Sequence, residues 1–239
     1  MEFIQAIHKK KKKMTFKQFK TNIRKFVGYV GVDEFVEDPI GSNSLKRWEQ
    51  LYADPKFLKQ YVSKDRLNYF TELFETLNRN KVFEYTKSVM DVGCGTGHFL
   101  LTISKSFPQI HLSGTDFSEE GLQVARSVVP SAEFMKDDVM IQNTEWIEKF
   151  DMVCCSEVLE HLLNPEDALK NLISYVKPTG YLIFGVPNGR LDTYAGHIQF
   201  WSPESWRAFL IRNLPEIASV QIQTLQIENE RNNLAIIKK

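Results

Sequence analysis

The sequence predicts an α/β fold: a doubly wound seven-stranded sheet that closes on a C-terminal antiparallel hairpin and carries an N-terminal helical cap. Three observations predict it. From Lys87 onward short β-rich runs alternate with helical stretches, the pattern of parallel strands joined by crossover helices. The last two β-rich runs are separated only by Glu228-Asn229-Glu230-Arg231-Asn232, too short for a crossover, so that pair must run antiparallel. The 239 residues suffice for one such sheet with an appendage, not for two full domains.

In chain order, residues 1–30 hold nine Lys or Arg against one Glu, densest at Lys9 to Lys13, although the whole chain is neutral. Such a block is either a solvated tail or a surface for RNA or an anionic membrane. From Phe16 the residues Phe19, Ile23, Phe26 and Val27 recur at helical spacing. Asp38-Pro39-Ile40-Gly41-Ser42-Asn43 reads as a linker, and Leu45 to Leu77 as two helices parted near Asp54-Pro55. Residues 1–84 are therefore expected to form the basic arm and cap, and residues 85–239 the sheet domain. Strands are expected at 88–93, 110–116, 132–138, 151–156, 181–186, 218–226 and 233–238. Helices should begin near Gly97, Ser118, Pro165 and Pro203, with only a turn around Trp146 after the third strand.

The apolar fraction of 43% and charged fraction of 25% exclude global disorder. No apolar run approaches the ~20 residues that span a bilayer, and the opening residues lack the order of a secretory signal. Cys94, Cys154 and Cys155 have neither disulfide nor zinc-site spacing, so a reduced, cytoplasmic protein is expected.

The first strand runs into Asp91-Val92-Gly93-Cys94-Gly95-Thr96-Gly97, a turn that lets a ligand approach the backbone. Its G-x-G-x-G pattern differs from the usual dinucleotide G-x-G-x-x-G, and no Lys or Arg flanks it for phosphate. Asp116 ends the second strand, where a carboxylate can take both ribose hydroxyls. Asp137 and Asp138 end the third, where one can accept from an exocyclic adenine amine. Together these residues resemble the class I S-adenosylmethionine-dependent methyltransferases, a Rossmann-like family. That resemblance implies S-adenosyl-L-methionine as cofactor, with Asp91, Gly93, Cys94, Gly95 and Gly97 in the glycine motif, Asp116 on the ribose and Asp138 on the adenine. It further implies that Phe117 and Val139 pack on the adenine, and Ser156, at the end of the fourth strand, is counted with the cofactor contacts.

After that strand comes Glu157-Val158-Leu159-Glu160-His161; were it helical, Glu157, Glu160 and His161 would share a face. A second cluster, Gly196-His197-Ile198-Gln199-Phe200-Trp201, lies in the loop after the fifth strand. Two carboxylates and two imidazoles suit a divalent cation such as Mg²⁺ or Mn²⁺. The stretch resembles two methyltransferase groups, the ubiquinone-biosynthesis O-methyltransferases and the small-RNA 3′-terminal 2′-O-methyltransferases. Likeness to the second implies metal ligands at Glu157, Glu160, His161 and His197, with Glu160, His161 and His197 catalytic. Two other readings stand beside it: His161 as a metal-free base, and a purely structural role. The expected function is O-methylation of a small hydroxylated metabolite or sugar. The alternatives are an RNA 3′ end, a polyprenyl phenol, or a non-catalytic cofactor-binding partner subunit. Tyr52 and Tyr61 are the candidates for a lid.

Overall fold

The computed structural model describes residues 41, 43–194, 196–214, 220–227 and 230–239. Lys9 to Lys13, the helix expected from Phe16, and most of the linker beginning at Asp38 lie outside the described residues.

Among the described residues three helices precede the sheet, where two were expected between Leu45 and Leu77: α1 (Leu45–Ala53), α2 (Pro55–Tyr61) and α3 (Lys64–Arg79). The break between α1 and α2 falls where Asp54 and Pro55 predict it, the Asp54 carboxylate accepting from Lys56 N at 2.8 Å. The second break was missed because its signal is a single residue, Ser63, whose hydroxyl accepts from Arg66 N at the start of α3. On α3, Tyr69, Leu73, Thr76 and Leu77 form a buried stripe at helical spacing.

The strands are β1 (Ser88–Val92), β2 (His111–Asp116), β3 (Glu133–Lys136), β4 (Phe150–Ser156), β5 (Val176–Pro187), β6 (Val220–Ile227) and β7 (Glu230–Lys238). They form one sheet in the order β3-β2-β1-β4-β5-β7-β6. The pairs from β3 through β5 are parallel, whereas β5 with β7 and β7 with β6 are antiparallel. This is a Rossmann-like, mostly parallel sheet ending in a hairpin. Strand β5 begins five residues earlier than expected, because Val176 pairs with Phe150 across a register shift. The intervening Pro178-Thr179-Gly180 reads locally as a turn, with Thr179 at φ 70°.

The crossovers hold α4 (His98–Ser106), α5 (Glu119–Val128) and α6 (Pro165–Tyr175), and α7 (Pro203–Asn213) precedes β6. Each starts at its expected signal. Gly97 supplies a left-handed turn, Ser118 and Ser202 cap with their hydroxyls, and Pro165 and Pro203 open their helices. Because side chains alternate across a strand, the sheet builds two cores. Val89, Met152, Cys154 and Ile183 pack with Leu73, Leu77, Leu100 and Ile103 of α3 and α4. Met90, Val153, Cys155 and Phe184 pack with Leu169, Leu172, Trp206 and Phe209 of α6 and α7. The three cysteines are buried and unbridged. No helix among the described residues is long and apolar enough to cross a membrane.

Candidate active site

Strand order reverses between β1 and β4, and the crevice beyond their carboxyl ends is where such sheets bind ligands. There lies a cavity of about 550 Å³, and Gly93, Asp116, Phe117, Asp138, Val139 and Ser156 all line it. The other expected cofactor residues shape the loop and do not face the cavity. Asp91 is buried within β1. The Cys94 sulfur would meet a side chain added at Gly114, and Gly97 lets α4 approach Ala125 and Phe134. At Gly95, φ is +51° and a β-carbon would collide with the hydroxyls of Tyr61 and Tyr52, which lie directly over the glycine turn. Both tyrosines offered as candidates for a lid line the same cavity.

Asp116 is 6% exposed and accepts from Gly95 N and Ser118 N, each at 2.9 Å. Burial outweighs those donors and pushes its carboxyl up to about 6. Burial, with the Asp116 charge added, raises Asp91 to about 7. Strand β3 stops at Lys136, two residues short of expectation, because the Asp138 carboxylate turns back on Met140 N at 3.0 Å. Asp138 thus stands on an exposed turn at the cavity wall.

The Glu157-to-His161 segment does not form the helix that a shared face would require. Glu157 has φ 60°, and only Leu159–His161 coil, as a short 3₁₀ turn. The consequence is that Glu157 does not join the cluster that forms. Glu157 swings away and is held by Arg66 Nη1 at 3.3 Å and Asn232 Nδ2 at 2.6 Å. Glu160, His161 and His197 converge instead, with one ligand atom from each lying within 4.8 Å of the others. Among the described residues this is the group able to hold a metal ion.

Its protonation is dictated by its surroundings. Asn43 Nδ2 donates to Gly196 O at 2.8 Å, which turns Asn43 Oδ1 toward His161 Nδ1 at 2.7 Å. An amide oxygen can only accept, so Nδ1 carries the hydrogen and Nε2 presents its lone pair. Likewise His197 Nδ1 donates to Asp192 Oδ2 at 2.6 Å. Both bare Nε2 atoms sit 3.9 Å from Glu160 Oε1, too far for a hydrogen bond. Glu160 is 1% exposed, and neither carboxylate oxygen has a hydrogen-bond partner. Burial and the charge of Glu157 push its pKa well up, while burial and then His197 push His161 down to about 3. An unpartnered carboxyl facing two imidazole lone pairs fits a cation, whose charge would hold that carboxyl ionised, and the orienting partners on each Nδ1 are those metal-bound histidines use.

Cap residues complete the site; Trp48 is among the aromatics that the sequence offers for lining a pocket, whereas Asn43 and Arg66 were not singled out. Asn43 and Trp48, edge-on to His161 with ring centroids 5.5 Å apart, come from the cap. Arg66 of α3 lines the cavity within 5.3–5.6 Å of the Tyr61, Tyr69 and Phe70 rings, and its buried Nε has no partner. The one available signal was the i+3 position of Arg66 after the Ser63 cap.

A family model described as "Methyltransferase domain" matches residues 64–239. The ubiquinone biosynthesis O-methyltransferase of Proteus mirabilis is 30% identical over 165 residues, covering 67% of this chain and 62% of that protein. A malonyl-[acyl-carrier protein] O-methyltransferase of Halalkalibacterium halodurans is 31% identical over 103 residues, 41% of this chain and 38% of that one. The chain thus spans under two thirds of these relatives. In fold it resembles the plantazolicin methyltransferase BpumL in complex with SAH, at 18% identity and TM-score 0.64, covering 85% of this chain and 98% of that one. It also resembles the methyltransferase domain of bacterial CtHen1, at 17% identity and TM-score 0.56, covering 72% and 100%. With the glycine turn, the spaced acids and the matching family model on one sheet, the chain belongs to the class I S-adenosylmethionine-dependent methyltransferases.

Proposed function

We propose that the protein O-methylates a small hydroxylated acceptor, with S-adenosylmethionine bound along Gly93, Asp116 and Asp138 and a divalent cation held by Glu160, His161 and His197. The observation that carries the metal is the buried Glu160 carboxylate, unpartnered and faced by two imidazole lone pairs. Of the two cations expected, Mn²⁺ suits a set with two nitrogens better than Mg²⁺, which prefers oxygen. When bound, such an ion supplies Lewis acidity that lowers the pKa of a hydroxyl. A metal-free base is a weaker reading, because an imidazole held near pKa 3 has little affinity for a proton at neutral pH.

The chain's own residues do the rest. Asp116 takes the ribose, Asp138 the adenine edge, and Phe117 and Val139 supply the apolar walls. Arg66 offers a guanidinium, suited to the carboxylate of the cofactor's methionine. Tyr52 and Tyr61 close over the glycine turn and keep water out. The acceptor hydroxyl, its pKa lowered, would release its proton to solvent, and methyl passes in line from sulfonium to that oxygen as the C–S bond breaks, leaving S-adenosylhomocysteine, and the C–O bond forms.

The test is methyl transfer to pools of hydroxylated acceptors, before and after chelation and with Mn²⁺ restored. Activity should fall with the chelator and return with the ion, and Glu160→Gln should abolish both the rescue and metal retention. Turnover indifferent to chelation would remove the metal from the reading.

A further inference from the structure

A second cavity of about 490 Å³ lies beside the first, at the carboxyl end of β5 and under the loop that follows it. The two share Arg66, Glu157, Tyr194 and His197, so they meet at an imidazole of the converging group. We propose that this second cavity is the acceptor subsite and that it takes a compact, uncharged, polyhydroxylated molecule of the sugar or polyol class, an inference that rests on the methyl-transfer reading above.

The division of labour supports it. Asp116, Asp138 and Ser156 line only the first cavity, which leaves Arg66, at the junction, as the proposed cofactor contact that the two share. Its walls carry amides: Asn188 and Asn232 are 6% and 5% exposed and stand at the ends of neighbouring strands, since Pro187 pairs with Asn232. Asn188 Oδ1 closes a turn by accepting from Arg190 N at 3.1 Å, so its Nδ2 is the donor offered to the cavity. The charged lining groups are engaged, Arg66 by Glu157 and the Asp192 carboxylate by the Nδ1–H of His197, so the amides are the polar groups left to meet an acceptor. Pro187, Leu191 and the Tyr194 ring add one apolar edge, enough for the C–H face of a sugar and too little for a lipid tail.

The experiment uses the full chain, free and loaded with S-adenosylhomocysteine, and reads ligand binding by saturation-transfer NMR. The probes are neutral hexoses and cyclitols against an alkyl phenol and an aliphatic carboxylic acid. Two variants localise the signal. Asn188→Asp keeps the turn-closing oxygen but removes the donor, and Leu191→Trp fills the cavity from its exposed rim. The sugars or cyclitols should bind best, and both variants should weaken them about tenfold or more while S-adenosylhomocysteine affinity stays within about twofold. Preference for the phenol or the acid, no polyol binding, or polyol binding unchanged by Leu191→Trp would each overturn the proposal. Failure of the methyl-transfer reading would look different: the polyol would bind and no methyl would move.

Discussion

Asn43 Oδ1 meets His161 Nδ1 at 2.7 Å although 118 residues separate them in the chain. Through this contact a residue of the cap fixes the tautomer of a residue at the mouth of the sheet. Asn43→Ala should leave His161 free to rotate and to present either nitrogen. Outer partners of this kind are worth about 10–100-fold in metal affinity. Calorimetric titration of the chelated protein with Mn²⁺ should show a loss in that range, with melting of the metal-free protein little changed.

Gly95 has φ +51° and the hydroxyls of Tyr61 and Tyr52 above it. Gly95→Ala forces a side chain into that space and strains the turn, at a cost on the order of 1–3 kcal/mol. Cofactor affinity should drop at least tenfold by equilibrium dialysis. The double variant with Tyr61→Phe should recover part of it if the collision, and not the backbone alone, is responsible.

Burial raises Asp91 from 3.8 to about 7, with the Asp116 charge second, and raises Asp116 to about 6. Both hold a proton more tightly folded than unfolded, so their favourable contribution is whole below about pH 4 and is lost as pH rises toward 7. Asp91→Asn should therefore melt with the parent near pH 4 and above it at pH 8, in the cofactor-free protein. The full shift corresponds to a difference on the order of 4 kcal/mol. Equal Tm gaps at the two pH values would contradict this.

Glu49 of α1 accepts from Ser118 Oγ at 2.8 Å and from Glu119 N and Glu120 N at 3.0 Å, clipping the cap to the first turn of α5. A carboxylate at a helix N-terminus meets both the free N–H groups and the dipole. Glu49→Ala should loosen the cap over the cleft. Stopped-flow displacement, followed by Trp48 fluorescence, should show S-adenosylhomocysteine leaving several-fold faster, and hydrogen exchange in α1 should quicken.

The sequence by itself determined the order and type of nearly every element from β1 onward, the glycine turn, and the acids beyond β2 and β3. These are local properties: side-chain alternation, a Ser or Pro opening a helix, and positive φ at glycine are each set within a few residues. Where local signals conflicted, reading failed by a few residues, as at Pro178-Thr179-Gly180, which resembles a turn but lies within β5. Tertiary structure alone decided which of these side chains converge. Glu157 at φ 60° turns toward Arg66 and Asn232, partners 91 and 75 residues away, and leaves Glu160 with two imidazoles. The roles of Asn43 and Asp192 were likewise invisible, because which nitrogen of an imidazole carries the proton depends on what folds against it, and spacing along the chain carries no information about that.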